Sequence, residues 1–136
     1  MSALPEFSNR PQHRSVDVLV VDDDGPVRST WAEILRNSGY SVETAEDGDV
    51  ALSFLGQHSA GMILLDLRMP RRDGLSVLQA LTTPQVVVLV SAYSLDEAMR
   101  MRTDAKVVTY LEKPVPPRRL LETVAAALDR RSESRS

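Results

Sequence analysis

Apolar and polar residues follow two distinct spacings along the chain. Four runs, VDVLVV (16–21), MILLD (62–66), QVVVLVS (85–91) and KVVTYL (106–111), are short, rich in β-branched residues and show little alternation. Their length and continuity predict strands covered on both faces, as in a parallel sheet. YSVETA (40–45) alternates more clearly and predicts a strand nearer the sheet edge. Between these runs the period changes. Val27, Trp31, Ile34 and Leu35 recur at i, i+4, i+7 and i+8, with Pro26 suited to a first helical turn and Gly39 to a C-terminal cap. Ala51, Leu52 and Leu55 mark a second helical stripe, and Leu75, Leu78 and Leu81 a third. Leu121, Val124 and Leu128, after Pro116 and Pro117, mark a fifth, while the fourth, around SLDEAMRMR (94–102), has a poorer apolar face.

Strand and helix thus alternate five times, with no internal repeat. That order predicts an α/β fold, a parallel sheet with helices on both faces joined by right-handed crossovers. Functional groups in such sheets gather at the carboxyl ends of the strands. Asp22, Asp23 and Asp24 follow the first strand, Asp66 ends the third, Ser91 the fourth, and Lys113 lies just past the fifth. Two carboxylates about 4 Å apart repel by roughly 4 kcal/mol at an effective dielectric of 20, so a cluster of them calls for a cation. An all-oxygen donor set selects a hard ion, and magnesium fits best because it leaves positions open for phosphate oxygens. Asp24, next to Gly25 and Pro26, reads instead as a helix N-cap.

Length and composition narrow the choice. The 136 residues fit one domain, with residues 1–15 expected as a disordered arm, 16–130 as the folded unit and 131–136 as a disordered tail. With 43% hydrophobic and 26% charged residues and a formal net charge of -3, a soluble globular domain is expected, with no direct nucleic-acid binding. The absence of cysteine excludes disulfides, thiolate metal sites and cysteine nucleophiles. No segment approaches the ~18 apolar residues of a membrane span, and the first fifteen residues lack the core of a secretory signal, so a cytoplasmic location is expected.

Four motifs in order, VLVVDDD (18–24), LLDLRMPRRDG (64–74), Ser91-Ala92 after an apolar strand and YLEKP (110–114), resemble the receiver domain of two-component response regulators. The likeness covers roughly residues 16–130. It implies the CheY-like, flavodoxin-like doubly wound fold, with five parallel strands in the order 2-1-3-4-5 and five helices. It further implies that Asp66 is the phosphoacceptor, taking a phosphoryl group from a histidine kinase as an aspartyl phosphate. Asp23, Asp66 and the backbone carbonyl of Arg68 would bind Mg2+ directly, and Asp22 through coordinated water. Lys113 would pair with the phosphoryl oxygens, Ser91 would hydrogen-bond them, and Tyr110 would be the aromatic switch that moves inward with Ser91. The Lys113–Pro114 bond is expected to be cis by this likeness, although X-Pro bonds in general favour trans.

The chain also departs from the family. Lys106 and Val107 stand where Gly-Ala is usual, and lysine adopts positive φ less readily than glycine. The loop before the fifth strand is therefore expected to be rearranged. Arg68 and Tyr93 are bulky at positions that tune phosphoryl lifetime in the family. Slower self-dephosphorylation is expected than in an Arg68→Asn/Tyr93→Glu variant; timed phosphate release that is faster from the wild type would contradict this.

The resemblance implies a phosphorylation-controlled switch that catalyses only its own phosphorylation and dephosphorylation. Its output would be a protein-contact face made by the fourth predicted helix, the fifth strand and the fifth predicted helix, meeting a downstream effector or a second copy in a phosphorylation-dependent homodimer. The alternative is an unphosphorylated pseudo-receiver serving as an interaction module, against which the three acids, Ser91 and Lys113 argue. A magnesium phosphohydrolase fits less well, because such enzymes carry a second Asp two residues after the nucleophile, where this chain has Arg68. The ending DRRSESRS (129–136) is too short and polar for a DNA reader, and both a stand-alone receiver and part of a longer regulator agree with it.

Overall fold

A computed structural model of the chain describes residues 14–67, 69, 74–81, 86–92 and 107–135. Five strands form one parallel sheet: β1 (Ser15–Val21), β2 (Val42–Ala45), β3 (Ser59–Asp66), β4 (Val86–Ser91) and β5 (Val107–Glu112), in the order β2-β1-β3-β4-β5. The described helices are α1 (Gly25–Asn37), α2 (Gly48–Gln57), α3 (Gly74–Ala80) and α4 (Pro117–Arg135). The doubly wound α/β fold and strand order agree with the expectation, and YSVETA does supply an edge strand. The fourth expected helix, around SLDEAMRMR, lies outside the described residues, so the helix expected as the fifth is α4.

The continuous apolar runs follow from the sheet having two cores. Residues alternate sides along each strand, so a strand covered on both faces needs an apolar residue at nearly every position. Leu19, Ile63, Leu65, Val87 and Leu89 face one way, against Ala51 of α2 and Val77 and Leu78 of α3. Val18, Val20, Met62, Leu64, Val88 and Val90 face the other, against Trp31, Ala32 and Leu35 of α1 and Leu120 and Val124 of α4.

Helix ends are set by local chemistry. The Asp24 side chain caps α1 by accepting from the Val27 amide at 3.1 Å, as expected. At the other end Gly39 adopts φ 98°, and the Gly39 and Tyr40 amides donate to Arg36 and Leu35 carbonyls at 3.0 and 3.1 Å. This is a Schellman closure, which favours glycine at its left-handed position.

Two boundaries differ from expectation. β1 opens at Ser15, inside the expected arm, because Ser15 pairs with Ser59. Residues 131–135 are helical where a disordered tail was expected. Residues 118–135 hold no Gly or Pro, and Arg and Glu are good helix formers, so the helix continues through Arg135.

β5 carries an irregularity. Val87 pairs with Val107 but Val88 pairs with Thr109, so the register slips by one residue. Val107 and Tyr110 consequently pack on the α2/α3 side, while Val108 and Leu111 pack on the α1/α4 side.

Candidate functional site

The carboxyl ends of β1, β3, β4 and β5 bring Asp22, Asp23, Asp66, Ser91 and Lys113 together at one rim. Asp22 follows β1 directly and is fixed from three sides. Its amide donates to the Ala45 carbonyl at 3.2 Å, its Oδ1 accepts from the Asp24 amide at 2.9 Å, and its carbonyl accepts from Arg28 Nη1 at 2.7 Å. Asp22 and Asp66 are buried, 0% and 4% exposed, whereas Asp23 faces solvent. One carboxylate oxygen from each of the three acids lies within 4.8 Å of the other two.

Lys113 arrives through β5. Its amide donates to the Ser91 carbonyl at 2.8 Å, carrying the strand pairing one residue past the end of β4, and the bond to Pro114 is cis as expected. Its Nζ stands 2.8 Å from Asp22 Oδ2 and 3.5 Å from Asp66 Oδ2, and 5.8 Å from the ring centre of Trp31. Burial opposes the charged ammonium, but close contact with Asp22 and the charges of Asp22 and Asp66 outweigh it. Lys113 is therefore held above its ordinary value.

Asp22 Oδ2 is buried and accepts no well-directed hydrogen bond, although the ammonium is 2.8 Å away. The short distance sets the attraction; the poor direction leaves a buried anionic oxygen with lone pairs to offer. One carboxylate oxygen from each of three acids, with one exposed acid opening the cluster to solvent, makes a hard donor set that fits Mg2+. Among the described residues this is the one such grouping of three potential ligands.

Asp22, Asp23, Asp66 and Lys113 are together, and Ser91 is buried at the same strand ends. Tyr110 is half-buried on β5, opposite Leu89 and on the α2/α3 side. Arg68, whose carbonyl was expected as a ligand, lies outside the described residues, as do Tyr93 and Lys106.

The sequence did not point to Gly74 as part of this site. A Cβ on Gly74 would come within 2.6 Å of the Asp66 carbonyl oxygen and 2.8 Å of Leu67 Cα. The start of α3 thus lies directly on the backbone of the strand end that presents Asp66, and the Gly74 amide donates to Leu67 O at 3.1 Å. A glycine opening an apolar helical stripe after a strand was the available signal.

Comparison with known proteins gives the class. The profile of the response regulator receiver domain matches residues 18–125. The response regulator MprA of Mycobacterium sp. (strain KMS) is 38% identical over 121 residues, covering 86% of this chain and 52% of that protein. The transcriptional regulatory protein PdtaR of Mycobacterium tuberculosis (strain CDC 1551 / Oshkosh) is 30% identical over 116 residues, covering 83% of this chain and 57% of that protein. Among solved structures, a CheY-like receiver domain protein from Methanospirillum hungatei JF-1 superposes with a TM-score of 0.79 at 28% identity, covering 90% of this chain and 98% of that one.

With this match over most of its length, the chain belongs to the response regulator receiver family. Receiver domains are phosphoacceptor switches of two-component systems rather than conventional enzymes, with kinase and effector partners. The chain spans about half the length of the curated relatives it matches, 52% of one and 57% of the other. Among the described residues no helix is long and apolar enough to cross a membrane.

Proposed function

We propose that this chain is a cytoplasmic receiver, with a signalling unit over residues 16–130, that accepts a phosphoryl group on Asp66 from a histidine kinase in a Mg-dependent reaction. The observation that carries this reading is the placement of Asp66: buried at the end of β3, with Lys113 Nζ at 3.5 Å and the Asp22 and Asp23 carboxylates close by. In the transfer an Asp66 carboxylate oxygen bonds to phosphorus as the bond to the donor breaks, leaving an acyl phosphate. Asp22, Asp23, Asp66 and the Arg68 carbonyl would hold Mg2+, which supplies positive charge against the incoming phosphoryl oxygens. Lys113 adds a second fixed cation where that charge develops, so the rim is organised before the donor arrives.

Ser91 hydrogen-bonds the phosphoryl group once it is attached, and Tyr110 follows it inward. That movement would shift the population of an output face to which β5, α4 and the expected fourth helix contribute. A groove of about 440 Å³ lies on this face, lined by Val108 and Thr109 of β5 and Arg119, Glu122, Thr123 and Ala126 of α4. It shares no residue with the acidic rim, consistent with an output surface separate from the chemistry. A downstream effector, or a second phosphorylated copy, binds there.

The test is intact mass after incubation with Mg2+ and acetyl phosphate, in the wild type and Asp66→Asn. One added phosphoryl group that requires Mg2+ and is missing from the variant is the expected result. An unmodified wild type that also fails to respond to beryllium fluoride with Mg2+ would leave the unphosphorylated interaction module in its place.

A further inference from the structure

Trp31 is the single tryptophan of the chain, and its position on α1 was accounted for in the sequence by helical spacing alone. The fold gives it a second neighbour. Its side chain is 6% exposed and packs in the α1/α4 core layer, yet its ring also lies under the Lys113 ammonium at 5.8 Å. A cation within roughly 6 Å of an indole centre is drawn to the ring face, more strongly where water is excluded. Lys113 has a flexible stem and a compact charge, and its side chain is 21% exposed, so something must define where that charge rests. Asp22 and Asp66 attract it from the sheet rim, and Trp31 supplies a surface on the helix side.

We propose that Trp31 is a positioning residue for Lys113: its ring face holds the ammonium at the rim, where the phosphoryl oxygens arrive. The inference rests on the phosphoacceptor reading above. A chain carrying Trp31 presents Lys113 already in place, so less ordering remains when charge develops during transfer. Because the ring acts on a group used in the transition state, its loss lowers the maximal rate and leaves the half-saturating donor concentration unchanged.

The experiment follows initial rates of phosphoryl incorporation from acetyl phosphate with Mg2+ in the wild type, Trp31→Phe and Trp31→Leu. Trp31→Leu keeps an apolar side chain without a π face and should lower the maximal rate about three- to tenfold, while Trp31→Phe should stay within about twofold of the wild type. Equal rates for Trp31→Leu and the wild type would overturn the proposal. So would equal losses in both variants, which mark a packing role. A wild type that takes up no phosphoryl group would count against the phosphoacceptor reading, not this inference. A second measurement leaves the indole in place, so it stands even if Trp31→Leu does not fold. Lys113→Met should shift the emission maximum of Trp31 by removing the cation beside it, and an unchanged spectrum would overturn the proposal.

Discussion

The two ends of the sheet handle charge in opposite ways. At the amino end polar groups are matched in pairs. The Asp17 amide donates to Ser41 Oγ at 2.8 Å while the Ser41 amide donates to Asp17 Oδ2 at 2.9 Å. Arg14 meets Glu43 at 2.9 Å, and its amide donates to His58 Nδ1 at 3.0 Å. At the carboxyl end three carboxylates crowd together against one ammonium, and a buried oxygen of Asp22 lacks a directed hydrogen bond. The first end fastens strand to loop at the surface. The second carries repulsion that Lys113 offsets, and in the function proposed above a divalent cation would relieve it further, both cations then serving phosphoryl transfer.

This contrast can be broken by substitution, most strongly at Lys113. Lys113→Met removes the cation facing the buried Asp22 carboxylate and should destabilise the metal-free protein by about 3 kcal/mol. Arg14→Ala, at an exposed pair, should lose no more than about 1 kcal/mol. Urea unfolding of both variants checks this, and equal losses would erase the distinction between the two ends. Gly74→Ala comes next. Its Cβ would meet the backbone of Asp66 and Leu67, so a loss of about 1–3 kcal/mol is expected, together with slower phosphoryl uptake as Asp66 is displaced. Thermal unfolding and incorporation rates measured on one preparation would separate the two effects.

Ser41→Ala removes one member of the reciprocal pair and should lower stability by about 1 kcal/mol without changing phosphoryl uptake. A change in uptake would mean the two ends are coupled through the sheet. The smallest effect concerns pH. Lys113 has a raised folded pKa, so its contribution to stability is complete below the ordinary lysine value of about 10.4 and is lost as the pH climbs through the folded value. Wild type should therefore lose stability across that alkaline window, and Lys113→Met should lack this part of the decline.

Much of this architecture was legible because the physics involved is local. Strands covered on both faces must be apolar almost throughout, so β1, β3 and β4 announce themselves. Asp24 beside Pro26 reads as a cap for the same reason. The acids and Lys113 were legible once strand ends were known, because a parallel sheet collects those ends at one rim. What escaped depends on contacts between elements. The side of the sheet that Tyr110 faces is set by the one-residue slip in β5, which no spacing in KVVTYL reveals. Gly74 matters because α3 approaches the backbone of β3, and Trp31 because a lysine more than eighty residues later arrives over its ring. Arg28 holds the Asp22 carbonyl from a helix where it reads as an ordinary surface residue.

The central claim, that the carboxyl end is strained in a way a divalent cation relieves, is tested most directly by thermal unfolding with and without saturating Mg2+ in the wild type and Asp23→Asn. Wild type should gain stability on adding Mg2+. Asp23→Asn, with one carboxylate fewer in the cluster, should be more stable than the wild type without metal, by on the order of 0.5 kcal/mol, and should gain little from Mg2+. A wild type indifferent to Mg2+, or an Asp23→Asn variant that is less stable without metal and gains as much when it is added, would contradict the account.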